Sequence, residues 1–436
     1  MLQKIYNLQG YISKESVSGI LLFFATLLAV IVANSPLAQL YFDFWHTPLG
    51  VTFGDFPISM TLTYWIDDGL MALFFLMVGL EIKREMLLGE LSSVDKAAFP
   101  LVAALGGMAI PALIYVALNP SNPLGFGVPM ATDIAFALGI LMLLGKRVNP
   151  ALKLFLVALA VIDDLGAVMV VATVYTQELH LEYLIHVAVI YGIIWAMNFK
   201  GVKMITPYLI LGVFLWVYIH AVGVHATIAG VLLAFAIPIS SRIDEDRFIN
   251  ESRRAIDTFE QHKDEIPMLN NKQVHALEEI AYGYERVQNP LVKLEHNLHN
   301  LSAFFIMPLF AFSNAGVAIE FSAVSQHLMI VLGVILGLII GKPLGIFGFT
   351  YLANKFNLVK KPVNLTWEEV IAIGFIGGVG FTMSIFITHL AFLDESIIDA
   401  VKLGVFVASF IAATIGVWIL LRIDKKRSHL FDRVEN

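Results

Sequence analysis

The chain has 436 residues, of which 58% are hydrophobic and 14% charged, and a mean hydropathy of +0.78, too apolar for a soluble domain of this length. It contains no cysteine, which excludes a disulfide framework, a thiolate nucleophile and a cysteine-ligated zinc site. The net charge of -7 comes largely from one hydrophilic segment, so it signals neither nucleic-acid binding nor an acidic substrate.

Residues 1–17 carry Lys4, Lys14 and Glu15 and lead into an apolar span without an A-x-A-like site, the pattern of a retained first helix rather than a cleaved signal peptide. Apolar stretches of about 20 residues predict twelve transmembrane helices in an all-α integral membrane fold. They lie near 18–33, 62–82, 98–118, 126–145, 151–175, 183–198, 205–220, 225–239, 298–314, 327–353, 368–391 and 399–421. Between the first two, VTFGDFPISM alternates around Gly54 and Asp55 and predicts a short hairpin, open to reading as a packing or dimer element or as an ordinary loop. Between the eighth and ninth, residues of about 240–290 form the only long polar stretch, an amphipathic surface helix or a flexible connector. The whole of 1–436 reads as one polytopic domain carrying this cytoplasmic insert.

The loops separate by charge. Lys83, Arg84 and Lys96 follow the second helix, Lys146 and Arg147 the fourth, Lys200 and Lys203 the sixth, and Lys355, Lys360 and Lys361 the tenth. Alternate loops such as NPSNPLGFG and TQELHLEY have neither Lys nor Arg. Of the 28 basic residues only Lys342, within a span, and Lys402, at an outer edge, fall off the positive side, so both termini are expected in the cytoplasm.

Two helices look interrupted. The fourth holds Gly127 and Pro129 before ATDIAF, and the eleventh holds Gly374, Gly377, Gly378 and Gly380 in GFIGGVGFTMSIF. These are the middle members of triplets 3–5 and 10–12. Offset by seven spans, the triplets traverse the membrane in opposite directions, the signature of an inverted repeat with a binding site at the midplane.

Four ionisable residues belong to those triplets: Asp133, with Thr132 beside it, Asp163, Asp164 and Lys342. Ten residues beyond Lys153, Asp163 lies roughly 15 Å into a hydrocarbon core of ~30 Å. A charge at that depth costs about 3 kcal/mol on insertion scales and normally faces a bundle interior, a partner or a watery path. Consecutive helical residues diverge by roughly 100°, so Asp163 and Asp164 need two different partners. One division has one carboxylate facing a watery cavity as a cation ligand while the other faces Lys342. Asp133 is also open to reading as a half-helix cap, and Lys342 as a balance for half-helix C-termini.

FFLMVGLEIKRE (74–85), ATDIAFALG (131–139), AVIDDLGA (160–167), GVHATIAG (223–230), PLFAFSNAGV (308–317), GKPLG (341–345) and GFTMSIFI (380–387) together resemble the NhaA-type sodium/proton antiporter family over nearly the whole chain. This family is itself a type example of inverted-repeat transporters, so the repeat argument and the resemblance are not independent. The resemblance implies a crossed pair of interrupted helices, a homodimer joined partly through the outer hairpin, and a place in the bacterial inner membrane, in contact with lipid. It implies exchange of cytoplasmic Na⁺ or Li⁺ for external H⁺. It makes Asp164 the central ligand of the transported Na⁺, Asp163 the partner carboxylate and Lys342 its ion-pair partner, with Asp133 and Thr132 at the crossing. It also implies a pH-responsive cluster of Glu81, Arg84, Glu85, Glu295 and His299, and a pH-linked role for His225. Asn300 and Leu301 stand where the family usually has Pro-Trp, and this departure and the polar insert both bear on the pH threshold.

A buried carboxylate that holds either a proton or a cation makes Na⁺ binding expel protons and the reverse. Displacement of two protons per monovalent cation makes the cycle electrogenic. Enzymatic readings fail on the residues: there is no GxGD motif of an intramembrane aspartyl protease, and GLIIGKP lacks the spacing and the Ser or Thr of a P-loop. GGVGF lacks dinucleotide spacing, and His220 and His225 have no matching acids in sequence for a catalytic metal. No cofactor is implied. The competing functional class is a sodium-coupled transporter of another solute on a related fold.

Overall fold

The computed structural model describes residues 14–434 apart from 54–55, 177–178, 242, 263–267 and 320. Most of the retained-first-helix argument, on residues 1–17, and the tip of the expected hairpin, Gly54 and Asp55, lie outside the described residues.

Helix α1 (Lys14–Ala33) is followed by the short α2 (Ala38–Trp45) and by antiparallel strands β1 (Pro48–Phe53) and β2 (Phe56–Thr61), paired from Pro48 with Thr61 to Phe53 with Phe56. A π-helical turn over Trp65–Leu70 then feeds α3 (Met71–Leu88), six residues further than the apolar stretch predicts, because the helix continues through the charged run after Leu80. Next come α4 (Val94–Leu118), a 3₁₀ segment over Pro123–Met130, α5 (Ile134–Leu144) and α6 (Pro150–Val174). Helices α7 (Leu184–Phe199), α8 (Ile205–Val222) and α9 (Ile228–Ala236) follow.

The polar insert is helical. Its two members, α10 (Glu245–Gln261) and α11 (Asn271–Val287), pack on each other as a hairpin. Asp244 caps α10, and Asn270 with Gln273 forms a capping box on α11, so each helix start supplies its own acceptors. Of the two alternatives its composition left open, an amphipathic helix or a flexible connector, the insert takes the helical one, in two helices.

Helix α12 (Pro290–Leu301), a π-helical turn over Ser302–Ile306 and α13 (Met307–Asn314) run on continuously, beginning eight residues before the predicted ninth span. The short α14 (Phe321–Gln326) precedes α15 (Leu328–Leu336), a further π-helical turn over Gly337–Gly341 and α16 (Lys342–Lys355). Both of these π turns stand next to a proline, Pro308 and Pro343, whose missing N–H cannot serve the carbonyl four residues earlier. Finally α17 (Trp367–Gly377) and α18 (Phe381–Ala391) meet at a 49° bend and lead into the long α19 (Glu395–Val434).

Among the described residues eight helices are long and apolar enough to cross a membrane, and the bent pair α17 and α18 makes a ninth. Three predicted spans fall outside that set for physical reasons. Helix α3 carries Glu81, Lys83, Arg84 and Glu85 in its second half, α9 has nine residues and so reaches only about 14 Å, and the ninth span runs out of α12, whose Lys293, Glu295, His296 and His299 dilute its apolar character.

The core is made by close helix contacts. Helices α4 and α16 cross at Gly106 and Gly345, where a Cβ on either residue would run into the backbone carbonyl of the other. Helix α1 lies on α5, α9 on α3, and α17 on α19. The 3₁₀ segment Pro123–Met130 packs on α18, which sets the break before α5 against the break before α18.

Candidate functional site

Each break exposes backbone groups that the other satisfies. The extended residues Ala131–Asp133 end the 3₁₀ segment, and the Asp133 N–H donates to the Val379 carbonyl at 2.8 Å. Ser384 Oγ donates to the Val128 carbonyl at 2.7 Å. Phe381 holds φ at 27°, a conformation costly for a bulky residue, and its N–H is taken by Ser409 Oγ at 3.2 Å. A ring of Gly377, Gly378 and Gly380 beside it gives the chain room to make this corner.

Asp133 sits at the N-termini of both second halves and is fully buried. One oxygen accepts from the Phe136 N–H at 3.0 Å and caps α5. The other accepts from the Thr382 N–H at 3.1 Å and from the Thr382 hydroxyl at the start of α18. A single carboxylate therefore balances two half-helix dipoles at the meeting of the breaks. The capping role open in the sequence is the geometry found, and Thr382, its hydroxyl partner, was not singled out by sequence reasoning.

The expected separation of the adjacent aspartates is present. Asp163, 3% exposed, places Oδ2 at 2.6 Å from Lys342 Nζ and 2.9 Å from Thr132 Oγ1. Lys342 is fully buried and also donates to Thr132 Oγ1 at 2.8 Å. That hydroxyl lies 2.9 Å from the Gly377 carbonyl as well, and its one proton serves either this carbonyl or Asp163. Lys342 follows the π turn Gly337–Gly341, and the broken fourth span supplies Thr132, so the pair depends on both irregularities.

Asp164 points elsewhere. It lines a cavity of about 80 Å³ together with Asp133, Glu81, His299 and Ser302, and its Oδ2 is buried without a hydrogen-bond partner. Asp163 Oδ1 is likewise unpartnered. The uncompensated Asp164 oxygen, in the wall of this cavity, can take a proton or a small monovalent cation as its partner, whereas Asp163 does not line the cavity.

The remaining expected residues fall into two groups. Glu81 and His299 share the Asp164 cavity, while Arg84, three residues beyond Glu81 on α3, bridges Glu85 at 2.9 Å and Glu295 at 2.7 Å. His225 stands apart from them, at the hairpin end of the bundle, with Nδ1 at 3.3 Å from Asp68. Asp68 is 2% exposed and also faces His220 at 3.4 Å. Sequence reasoning missed Asp67 and Asp68, although the IDD triplet of 66–68 repeats that of 162–164 and was visible as a second acidic pair in an apolar span.

With this geometry in place, three comparisons bear on the chain. The sequence profile of the family described as "Na+/H+ antiporter 1" matches residues 9–420. Na(+)/H(+) antiporter NhaA 1 of Aliarcobacter butzleri (strain RM4018) is 64% identical over 98% of this chain and 99% of its own. Na(+)/H(+) antiporter NhaA of Wolinella succinogenes is 48% identical over 96% of this chain and 94% of its own. Among solved structures, the sodium proton antiporter of Methanocaldococcus jannaschii at pH 8 aligns with 96% of this chain and 99% of its own, at 13% identity and a TM-score of 0.47. The profile match over most of the length, together with relatives far above a third identical, establishes that this multi-pass membrane chain belongs to the Na+/H+ antiporter 1 family.

Proposed function

We propose that the protein is a secondary active antiporter that exchanges cytoplasmic Na⁺ or Li⁺ for external H⁺, and not an enzyme. The observation that carries this reading is the division of labour between adjacent aspartates: Asp163 is held by Lys342 and Thr132, while Asp164 opens into a cavity with an unsatisfied oxygen. A carboxylate pair with one member clamped and one free can take a cation in exchange for protons, the competition that antiport needs.

In this reading Asp164 is the central ligand, Asp163 joins it when the Lys342 bridge opens, and Asp133 and Thr132 fix the crossing at which the cation is held. Release of Lys342 from Asp163 supplies a second titratable event, which makes the exchange electrogenic. Glu81, His299 and the Arg84–Glu85–Glu295 cluster lie on the approach from the basic, cytoplasmic loops and set the pH response. His225, against Asp68 at the other end, modulates that response from outside.

The twelve-span arrangement is completed by α3, α9 and the α12–α13 segment, with triplets 3–5 and 10–12 as an inverted repeat in a single domain. Both termini are cytoplasmic in the inner membrane, in line with the loop charges. The β1–β2 hairpin forms part of a homodimer contact. The test is fluorescence dequenching in inside-out vesicles on adding Na⁺, Li⁺ or K⁺ across a pH series. Dequenching by Na⁺ and Li⁺ but not K⁺ is expected, and proton movement indifferent to all three would overturn the reading.

A further inference from the structure

A second cavity, of about 210 Å³, lies at the hairpin end of the bundle, and the proposed mechanism does not use it. Its wall carries His389 at the end of α18, Asn314 at the end of α13, and Glu395, Asp399 and Lys402 on α19. Asp67, in the π turn before α3, stands behind it. Asp67 Oδ2 faces His389 Nδ1 at 3.5 Å, and Oδ1 accepts from Asn314 Nδ2 at 2.6 Å. Asn314 is 1% exposed, and with its amide nitrogen donating to Asp67 its Oδ1 is left buried without a donor.

The same three segments that build this cluster also line the Asp164 cavity. Phe74, Met77 and Glu81 of α3, Met307 of α13 and Met383 of α18 face that cavity, whereas Asp67 precedes α3 and Asn314 and His389 lie toward the other ends of α13 and α18. Buried Phe310 and Phe386 fall between the two sets on α13 and α18, and Phe386 packs on Phe75 of α3 with ring centroids 5.7 Å apart.

We propose that His389, held by Asp67, is the proton-loading group of a second site at the hairpin end, which takes protons from the outer solution before they pass to the carboxylates of the Asp164 cavity. The proposal rests on the exchange reading and its orientation. Imidazole is the side chain whose ordinary titration lies in the neutral range. Asp67 opposes a carboxylate to the imidazolium, and the unpartnered Asn314 Oδ1 offers an acceptor to a protonated donor or a water that brings it. The other charges facing His389 are Lys402, which resists a second positive charge, and Asp399 and Glu395 of the same helix; Lys402 Nζ lies 3.9 Å from Asp399. His46, after α2, completes the wall, and Asp68 with His220 and His225 adjoins Asp67 from the other side.

The test uses the full chain in proteoliposomes, with the wild type first shown to exchange Na⁺ for H⁺. Inner pH and inner Na⁺ are held fixed while outer pH is varied. His389→Gln and Asp67→Asn are expected to raise the outer proton concentration for half-maximal rate about tenfold, one pH unit, without changing KM for inner Na⁺. Lys402→Gln, by removing the opposing charge, is expected to lower it. Wild-type outer-pH dependence in His389→Gln, a parallel change in KM for Na⁺, or a Lys402→Gln shift that is absent or of the same sign as the others would overturn the proposal. A wild type without Na⁺-driven proton flux would instead remove the exchange reading beneath it.

Discussion

Lys342→Ala is the perturbation with the largest consequence that the geometry allows to be sized. Lys342 is 0% and Asp163 3% exposed, and 2.6 Å separates Nζ from Oδ2. Without the ammonium, Oδ2 retains one donor, the Thr132 hydroxyl, whose proton the Gly377 carbonyl also attracts, and Oδ1 already has none. Removing one partner of a buried ion pair costs about 3–5 kcal/mol. Here that is an upper bound, because Asp163 can bind a proton and become neutral. Lys342→Arg keeps the charge but places a broad fork where a slim stem passes Gly107, so it should retain part of the stability and exchange. The assay is thermal stability in detergent with vesicle exchange, for both substitutions alone and with Asp163→Asn. An amide at 163 needs no counter-ion, so the double variant Lys342→Ala, Asp163→Asn should be more stable than Lys342→Ala alone, with a coupling of about 1–3 kcal/mol. Effects that add to within about 0.5 kcal/mol would refute the bridge as an energetic unit.

Asp164→Asn is expected to abolish Na⁺-coupled proton flux in vesicles while leaving a folded protein in size-exclusion chromatography, since the amide keeps shape but carries no titratable proton. Gly341→Ala should lower thermal stability by about 1–3 kcal/mol, because its Cβ would stand 2.8 Å from Pro111 Cα, a backbone atom of α4 that cannot swing aside. An unchanged melting temperature would show that α4 and the π turn before α16 can separate there. Arg84→Ala should displace the pH profile of exchange in vesicles, since it frees Glu85 and Glu295 from their shared cation, and an unmoved profile would remove that cluster from the pH response. Deletion of most of 245–285 should leave exchange measurable with a shifted pH profile, because α10 and α11 pack on each other rather than into the bundle.

The central polar cluster was legible because charges at membrane depth are costly and therefore few. Asp133, Asp163, Asp164 and Lys342 stand out against apolar runs, and the 100° divergence of neighbours already required Asp163 and Asp164 to face different partners. Which of them meets Lys342 was not given by that argument, because it depends on the π turn before Lys342 and on where Thr132 lands after the break at Pro129. The double capping by Asp133 was legible only by half, since Thr382 comes from 249 residues away and joins it through tertiary contact. The cluster at the hairpin end was lost for a different reason. Asp67 and Asp68 stand in the first two turns of the span predicted over 62–82, but no sequence pattern links them to His389, Asn314, His220 and His225, which only the fold brings to them. Hydropathy likewise located the long spans but blurred α3, α9 and α12, where charge or a short helix length dilutes the signal.

The claim that one site on Asp164 accepts either Na⁺ or protons is tested most directly by proton release from the purified protein. In weakly buffered detergent solution near the pH of activation, Na⁺ added to the wild type should displace protons in a saturable way, K⁺ should not, and Asp164→Asn should release none while remaining folded. Saturable Na⁺ binding by the wild type without proton release, or undiminished release from Asp164→Asn, would contradict it.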